Sequence, residues 1–286
     1  MIKINGKVLE ADFISQYGAN STEGKVLDIL MGSSEVYNYS SLNDLKFELS
    51  VRKSLVNASK SLNKSSMDFS VFRKSRCNPE FWYRTGEGGF ELKSGVKPSD
   101  AIKDIYINSS MYATECATAM VIVYYKALVD VLPEQLFNRL FPRIYLMNWQ
   151  HLSYNLGIVD YIRVADYLPG DCRYFKNPDV DPVKPEWQGE NVFLLDNGLY
   201  YGHGIGIASG ERIIEILNKK RRKGSTVSAY LLPSAKRLDF KYLSNKYYEF
   251  PARQKAEFNS LESSWENNWE SSRESTQGSS QEGSLS

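Results

Sequence analysis

The chain has 286 residues, 42% of them hydrophobic and 24% charged, with a formal net charge of +1. That length and composition are those of a globular protein with one large core, and so balanced a charge leaves no whole-molecule field to hold nucleic acid or an anionic membrane. The start, MIKINGKVLEADF, has no basic segment followed by an apolar one, and no stretch nears the roughly 20 apolar residues of a membrane span; the expectation is a chain made and kept in cytoplasm.

Residues 22–64 read as two helices: TEGKVLDILMG, and a longer one from Ser41 in which Leu42, Leu45, Leu49, Val56 and Leu62 recur near helical spacing. FWYRTGEGGFELK predicts a hairpin around a glycine-rich turn, and KPSDAIKDI a short helix with Ser99 as its N-cap. A helix beginning near Thr114 and running to about Asp130 is apolar nearly all round, which makes it a central, buried one. LPEQLFNRLF starts another, with Pro133 early in it. RIYLMNW, DCRYFK, ENVFLL, LYYGHGIGI and TVSAYLLP then read as strands, interrupted by the amphipathic ERIIEILNKKRRKG. Helices first and strands mostly later predict an α+β fold rather than a doubly wound sheet.

Residues 1–250 are expected to form a single domain, and residues 251–286, rich in Ser, Glu, Asn and Gln, a tail too poor in apolar groups to build a core. Within it ESSW, ENNW and ESSR follow one another, and a helix there would place Leu261, Trp265 and Trp269 on one side. Trp265 and Trp269 are thus candidates for docking a partner.

The cysteines are Cys77, Cys116 and Cys172, an odd number whose spacings match neither a disulfide framework nor a zinc pattern. Only His151 and His203 are available to a metal, and a zinc held by Cys116, Cys172 and His203 would lack any recognisable ligand spacing; no metal and no cofactor are expected. Cys116 is the candidate nucleophile. At a helix start it lies near unsatisfied N–H groups and the positive end of the helix dipole, which favours thiolate, although a free cysteine is as readily a small buried hydrophobe. Cys77 and Cys172 have no such setting.

His203 is the histidine to test as its partner, since Gly202, Gly204 and Gly206 alternate with it along LYYGHGIGI and would leave one strand face bare. Upstream, Asn197-Gly198 signals a two-residue hairpin turn. That register pairs Asp196 with Leu199, Leu194 with Tyr201 and Val192 with His203, and sets Glu190 on the face of His203, opposite Ile205. A three-residue turn would send Glu190 to the glycine face instead.

YATECATAMVIVYYKAL, PGDCRYFKNPDVDP, EWQGEN and YYGHGIGI, in this order and spacing, resemble the spore-coat transglutaminases of endospore formers, the protein-glutamine γ-glutamyltransferases, from the first residues to about residue 240. The resemblance implies a papain-like cysteine-hydrolase core, with the nucleophile on a central helix packed against a small antiparallel sheet. It implies Cys116 as nucleophile, Glu190 as principal acid/base, Glu115 as a partly redundant partner and His203 at a third position. It also implies a calcium-independent reaction that joins the γ-carboxamide of protein-bound Gln to the ε-amine of Lys, releasing ammonia. The partners would be coat proteins bearing Gln and Lys, first in the mother-cell cytoplasm and then in the spore coat. Trp187, Trp149, Phe69 and Tyr112 are candidates to line a narrow apolar path that keeps water from the thioester. A cysteine peptidase or amidase on the same core, and a non-catalytic coat scaffold, are the competing readings.

Overall fold

The protein is described here by a computed structural model covering residues 1–251. The proposed docking residues Trp265 and Trp269 lie outside the described residues. Eight helices are formed among them: α1 Ala11–Ser15, α2 Thr22–Gly32, α3 Leu42–Lys64, α4 Pro98–Ile107, α5 Cys116–Val131, α6 Glu134–Leu140, α7 Gly210–Asn218 and α8 Phe240–Glu249. Ser21 and Ser41 cap α2 and α3, their hydroxyls accepting from Gly24 N and Asp44 N. Ser99 is not a cap: Pro98 already occupies the first turn of α4, Lys97 is the N-cap, and Ser99 N instead donates to Asn138 Oδ1 on α6.

The strands sort into four sheets. β1 Ile2–Ile4, β2 Lys7–Val8 and β3 Tyr37–Tyr39 make a small N-terminal sheet, and β4 Asp68–Phe69 pairs in parallel with β7 Ala113–Thr114. The expected hairpin is β5 Trp82–Arg84 and β6 Phe90–Leu92, extended by β8 Tyr145–Leu146. The largest sheet comprises β9 Ile158–Tyr161, β10 Cys172–Lys176, β11 Gly189–Leu194, β12 Tyr200–Gly202, β13 Gly206–Ala208, β14 Tyr230–Leu231 and β15 Ala235–Leu238, antiparallel throughout, in the order β13-β12-β11-β10-β15-β9 with β14 also on β10.

Helix α5 sits at the centre, packed between α3, α4 and α6 and against β11 of the large sheet. Every residue from Cys116 to Tyr125 is buried, which is why the sequence shows no polar face there. Tyr124 meets Phe193 of β11 edge-on at 5.0 Å, locking helix to sheet. Behind this core lies a buried ionic cluster: Asp171, just before β10, accepts from Arg52 of α3 at 2.9 Å and from Arg237 of β15 at 2.7 Å, while Arg52 also donates to Glu48 at 2.7 Å. Burial alone would raise the Asp171 carboxyl, but the two guanidinium groups and the Leu168 N–H hold it below its ordinary range.

Candidate active site

β7 runs beside β4, ends at Thr114, and leaves Glu115 in an extended conformation as the N-cap of α5, with Cys116 the first helical residue. The Glu115 carboxylate accepts from Ala117 N and Thr118 N, both at 2.6 Å, and from Thr118 Oγ1 at 2.5 Å. Thr118 Oγ1 in turn accepts from Asn148 N at 2.7 Å, tying the helix start to the loop that carries Trp149. Glu115 is therefore a helix cap, with its oxygens committed to the backbone and hydroxyl groups of the first turn.

This corrects the electrostatics expected for Cys116. First-turn N–H groups predicted to favour thiolate are already taken by a carboxylate. Burial first, then the charges of Glu190 and Glu115, push the thiol well above its ordinary value; only Asn191, through its side-chain amide and its backbone N–H, pulls it down. Asn191 Nδ2 donates to Cys116 Sγ at 3.6 Å. Cys116 keeps 9% exposure and opens into a cleft of about 990 Å³, lined among others by Phe69, Glu115, Trp149, Tyr174, Gln188 and Asn191. The sulfur is thus shielded but reachable.

Glu190 neighbours Asn191 on β11. Its carboxyl is buried, and Oε1 has no hydrogen-bond partner. Burial, with the charge of Glu115 second, raises it well above the carboxylate range. The register that places it there differs from the expected one. β11 and β12 pair Leu194 with Tyr200, Phe193 with Tyr201 and Val192 with Gly202, a shift of one residue. Leu195 N donates to Leu199 O at 2.8 Å across three residues, Asp196-Asn197-Gly198, with Gly198 at φ +76. Asp196 is drawn into this loop because its carboxylate is held by Thr22 Oγ1 and Lys60 Nζ, each at 2.8 Å, and a three-residue turn closing on a left-handed glycine results.

Glu190 accordingly faces the glycines, not His203. A Cβ on Gly202 would stand 2.9 Å from Glu190 Oε1 and 3.0 Å from its Cγ, so the bare glycine is what makes room for the carboxyl. Nor does LYYGHGIGI form one strand: it folds into the hairpin β12–β13, with Gly204 and Gly206 at φ +97 and +87 around the turn. His203 sits in that turn, buried. Its Nε2 donates to Asp68 O at 3.1 Å and its Nδ1 accepts from Tyr201 OH at 3.2 Å, an assignment that follows from the carbonyl being an acceptor only. Burial lowers its pKa and keeps it neutral. His203 is a rivet between β12 and β4, and β4 carries Phe69, which Gly204 allows to pack close.

Of the residues expected to line an apolar path, Phe69 and Trp149 do so. Trp187 packs behind Phe69 with ring centres 6.1 Å apart. Tyr112 does not: it is fully buried and its hydroxyl donates to Asp104 at 2.5 Å, because the strand turns it inward from the cleft. Two residues at the site were not anticipated, Asn191 and Tyr174. Asn191 follows Glu190 on β11, and its side-chain amide reaches Cys116 at the start of α5. Tyr174 lines the cleft, its hydroxyl pushed up to about 12 by burial and by the charges of Cys116 and Glu190.

A family model described as "TGL: Protein-glutamine gamma-glutamyltransferase" matches residues 1–248. The chain is 40% identical over 245 residues to a protein-glutamine gamma-glutamyltransferase of Bacillus mycoides strain KBAB4, covering 85% of this chain and 88% of that one. It is 38% identical over 253 residues to the protein of the same description from Bacillus cereus strain 03BB102, covering 88% and 90%. Among solved structures, a transglutaminase from Geobacillus stearothermophilus without its C-terminal extension matches with a TM-score of 0.69 and 50% identity, over 72% of this chain and 98% of that one.

Proposed function

The chain belongs to the protein-glutamine gamma-glutamyltransferase family, and from that premise we propose that residues 1–250 are its catalytic unit, built on a papain-like core, with Cys116 the nucleophile of acyl transfer through a thioester. The observation that carries this is a thiol at a helix start, 9% exposed in a cleft, with an amide donor at 3.6 Å and a buried carboxyl, its Oε1 without a partner, whose charge bears on it.

The chemistry follows from what each group can hold. Thiolate and carboxylate resist joint ionisation in so dry a place, so Cys116 and Glu190 share one proton between them. Sγ attacks the side-chain carbonyl carbon of a protein glutamine, and the oxyanion that forms takes hydrogen bonds from Asn191. The C–N bond then breaks, the proton held by the pair leaves with ammonia, and the acyl group stays on sulfur. A lysine amine attacks the thioester, Glu190 takes its proton, and the C–S bond breaks to give the isopeptide and return the thiolate. Phe69 and Trp149 restrict the approach of water, present at roughly 55 M, against an amine presented on a slim aliphatic stem.

His203 and Glu115 act on this site through position, one holding β4 and the other the first turn of α5. The reaction is read as calcium-independent, and its substrates as Gln- and Lys-bearing proteins of a spore coat, both on the sequence resemblance alone; a chelator should leave the rate unchanged. The test of the function is incorporation of a fluorescent primary amine into a Gln-bearing protein. Wild type should label it, and a folded Cys116→Ala variant should not. Ammonia release without labelling would make the protein an amidase and overturn the proposal.

A further inference from the structure

One wall of the cleft is made by Val183, Pro185, Glu186 and Gln188, in the segment between β10 and β11. That segment does not stand alone. Asp181 N donates to Lys220 O at 2.9 Å, Arg222 N to Asp179 O at 2.9 Å, and Val180 forms a bridge with Arg221, so the loop after α7 is clamped onto the cleft wall by its backbone. This loop is the run KKRRK at 219–223. Lys220 Nζ lies 4.5 Å over the ring of Trp187, which packs behind the cleft residue Phe69.

With Lys176 and Lys184, the two joined segments carry seven basic side chains against three carboxylates, Asp179, Asp181 and Glu186. Asp179 is spent on Arg222 and Ser225, and Asp181 lies near Lys184. Lys176, Lys219 and Lys223 are exposed and have no ion pair among the described residues, and the Arg221 guanidinium is held by carbonyls, not carboxylates. Arg73 also lines the cleft and is exposed. A chain of net charge +1 thus concentrates positive charge on the loop that backs one wall of the cleft.

From this juxtaposition we infer that the basic loop at 219–223 is a docking surface for an acidic protein segment flanking the reactive glutamine, an inference that rests on the acyl-transfer reading of Cys116. The donor is the substrate such a rim suits, because it must be held before the thioester forms, whereas a lysine-rich acceptor carries the charge this rim repels.

The experiment compares two Gln peptides, one in a neutral Ser/Gly frame and one with four Glu beside the glutamine, as donors to a fluorescent primary amine. Full-length protein should use the acidic peptide with kcat/KM about tenfold higher at low salt, which is about 1.4 kcal/mol shared among several exposed charge pairs. The advantage should vanish at about 1 M salt, where the Debye length is about 3 Å. In the Lys219→Glu/Lys223→Glu variant it should vanish or reverse while the neutral peptide is used as before. Equal use of the two peptides by wild type, or an advantage that survives the double variant, would overturn the inference alone. So would a short RNA that binds the loop while acidic peptides gain nothing. Labelling of neither peptide would overturn the acyl-transfer reading on which it rests.

Discussion

A carboxyl group buried without a hydrogen-bond partner, as Glu190 Oε1 is, gives up its proton only at a pH well above the usual carboxylate range. Its raised folded-state pKa means that its contribution to stability is fully present below the unfolded value of about 4.3 and is lost as pH rises through the folded value. Glu190→Gln has no such loss. The variant should therefore melt like wild type near pH 4 and above it near pH 8, while amine transfer falls by about 10²–10⁴-fold, the usual worth of a general acid/base. Full activity in a folded variant would contradict the assigned role. Glu115 makes a different prediction, since it caps α5 and its charge raises the Cys116 thiol. Glu115→Ala should cost about 1 kcal/mol in chemical denaturation and move the pH midpoint of Cys116 alkylation downward. An unchanged midpoint would mean that the two side chains do not interact.

At the scale of elements, the β11–β12 register decides where Glu190 points. A methyl group at Gly202 would collide with its carboxyl, so Gly202→Ala should leave secondary structure intact by circular dichroism and lower transfer by at least about tenfold. Unchanged activity would show that Glu190 need not stay where it lies. The central helix with its thiol, the helices before it and the first hairpin were legible in sequence, because each depends on local periodicity or turn residues; the Ser99 cap was not, since Pro98 and Lys97 take the start of α4. The register was not. Asn197-Gly198 favours a two-residue turn, but Asp196 is held from outside by Thr22 and Lys60, partners 174 and 136 residues away, and this contact lengthens the turn. The inward set of Tyr112 toward Asp104 and the riveting of β4 by His203 depend likewise on pairings between distant segments. The capping of α5 by Glu115, by contrast, is a local feature, set by its place just before Cys116.

For the molecule as a whole, α5 is backed by α3, which is tied to the large sheet by Arg52, Asp171 and Arg237. Asp171 has a depressed carboxyl, so its contribution is present above the unfolded pKa of about 3.9 and is lost as pH falls toward the folded value. Asp171→Asn should cost about 3–5 kcal/mol near pH 7, leaving the buried Arg52 and the partly buried Arg237 short of a partner, and proportionally less below pH 4. An equal cost at both pH values would argue against ionisation of Asp171. The proposed chemistry turns on whether Cys116 Sγ carries the acyl group. The direct measurement is the intact mass of enzyme quenched in acid after mixing with a Gln peptide and no amine. The prediction is an adduct on Cys116 equal to the peptide less one ammonia, discharged by added amine and absent from Cys116→Ala; an adduct elsewhere, or turnover by the alanine variant, would contradict it.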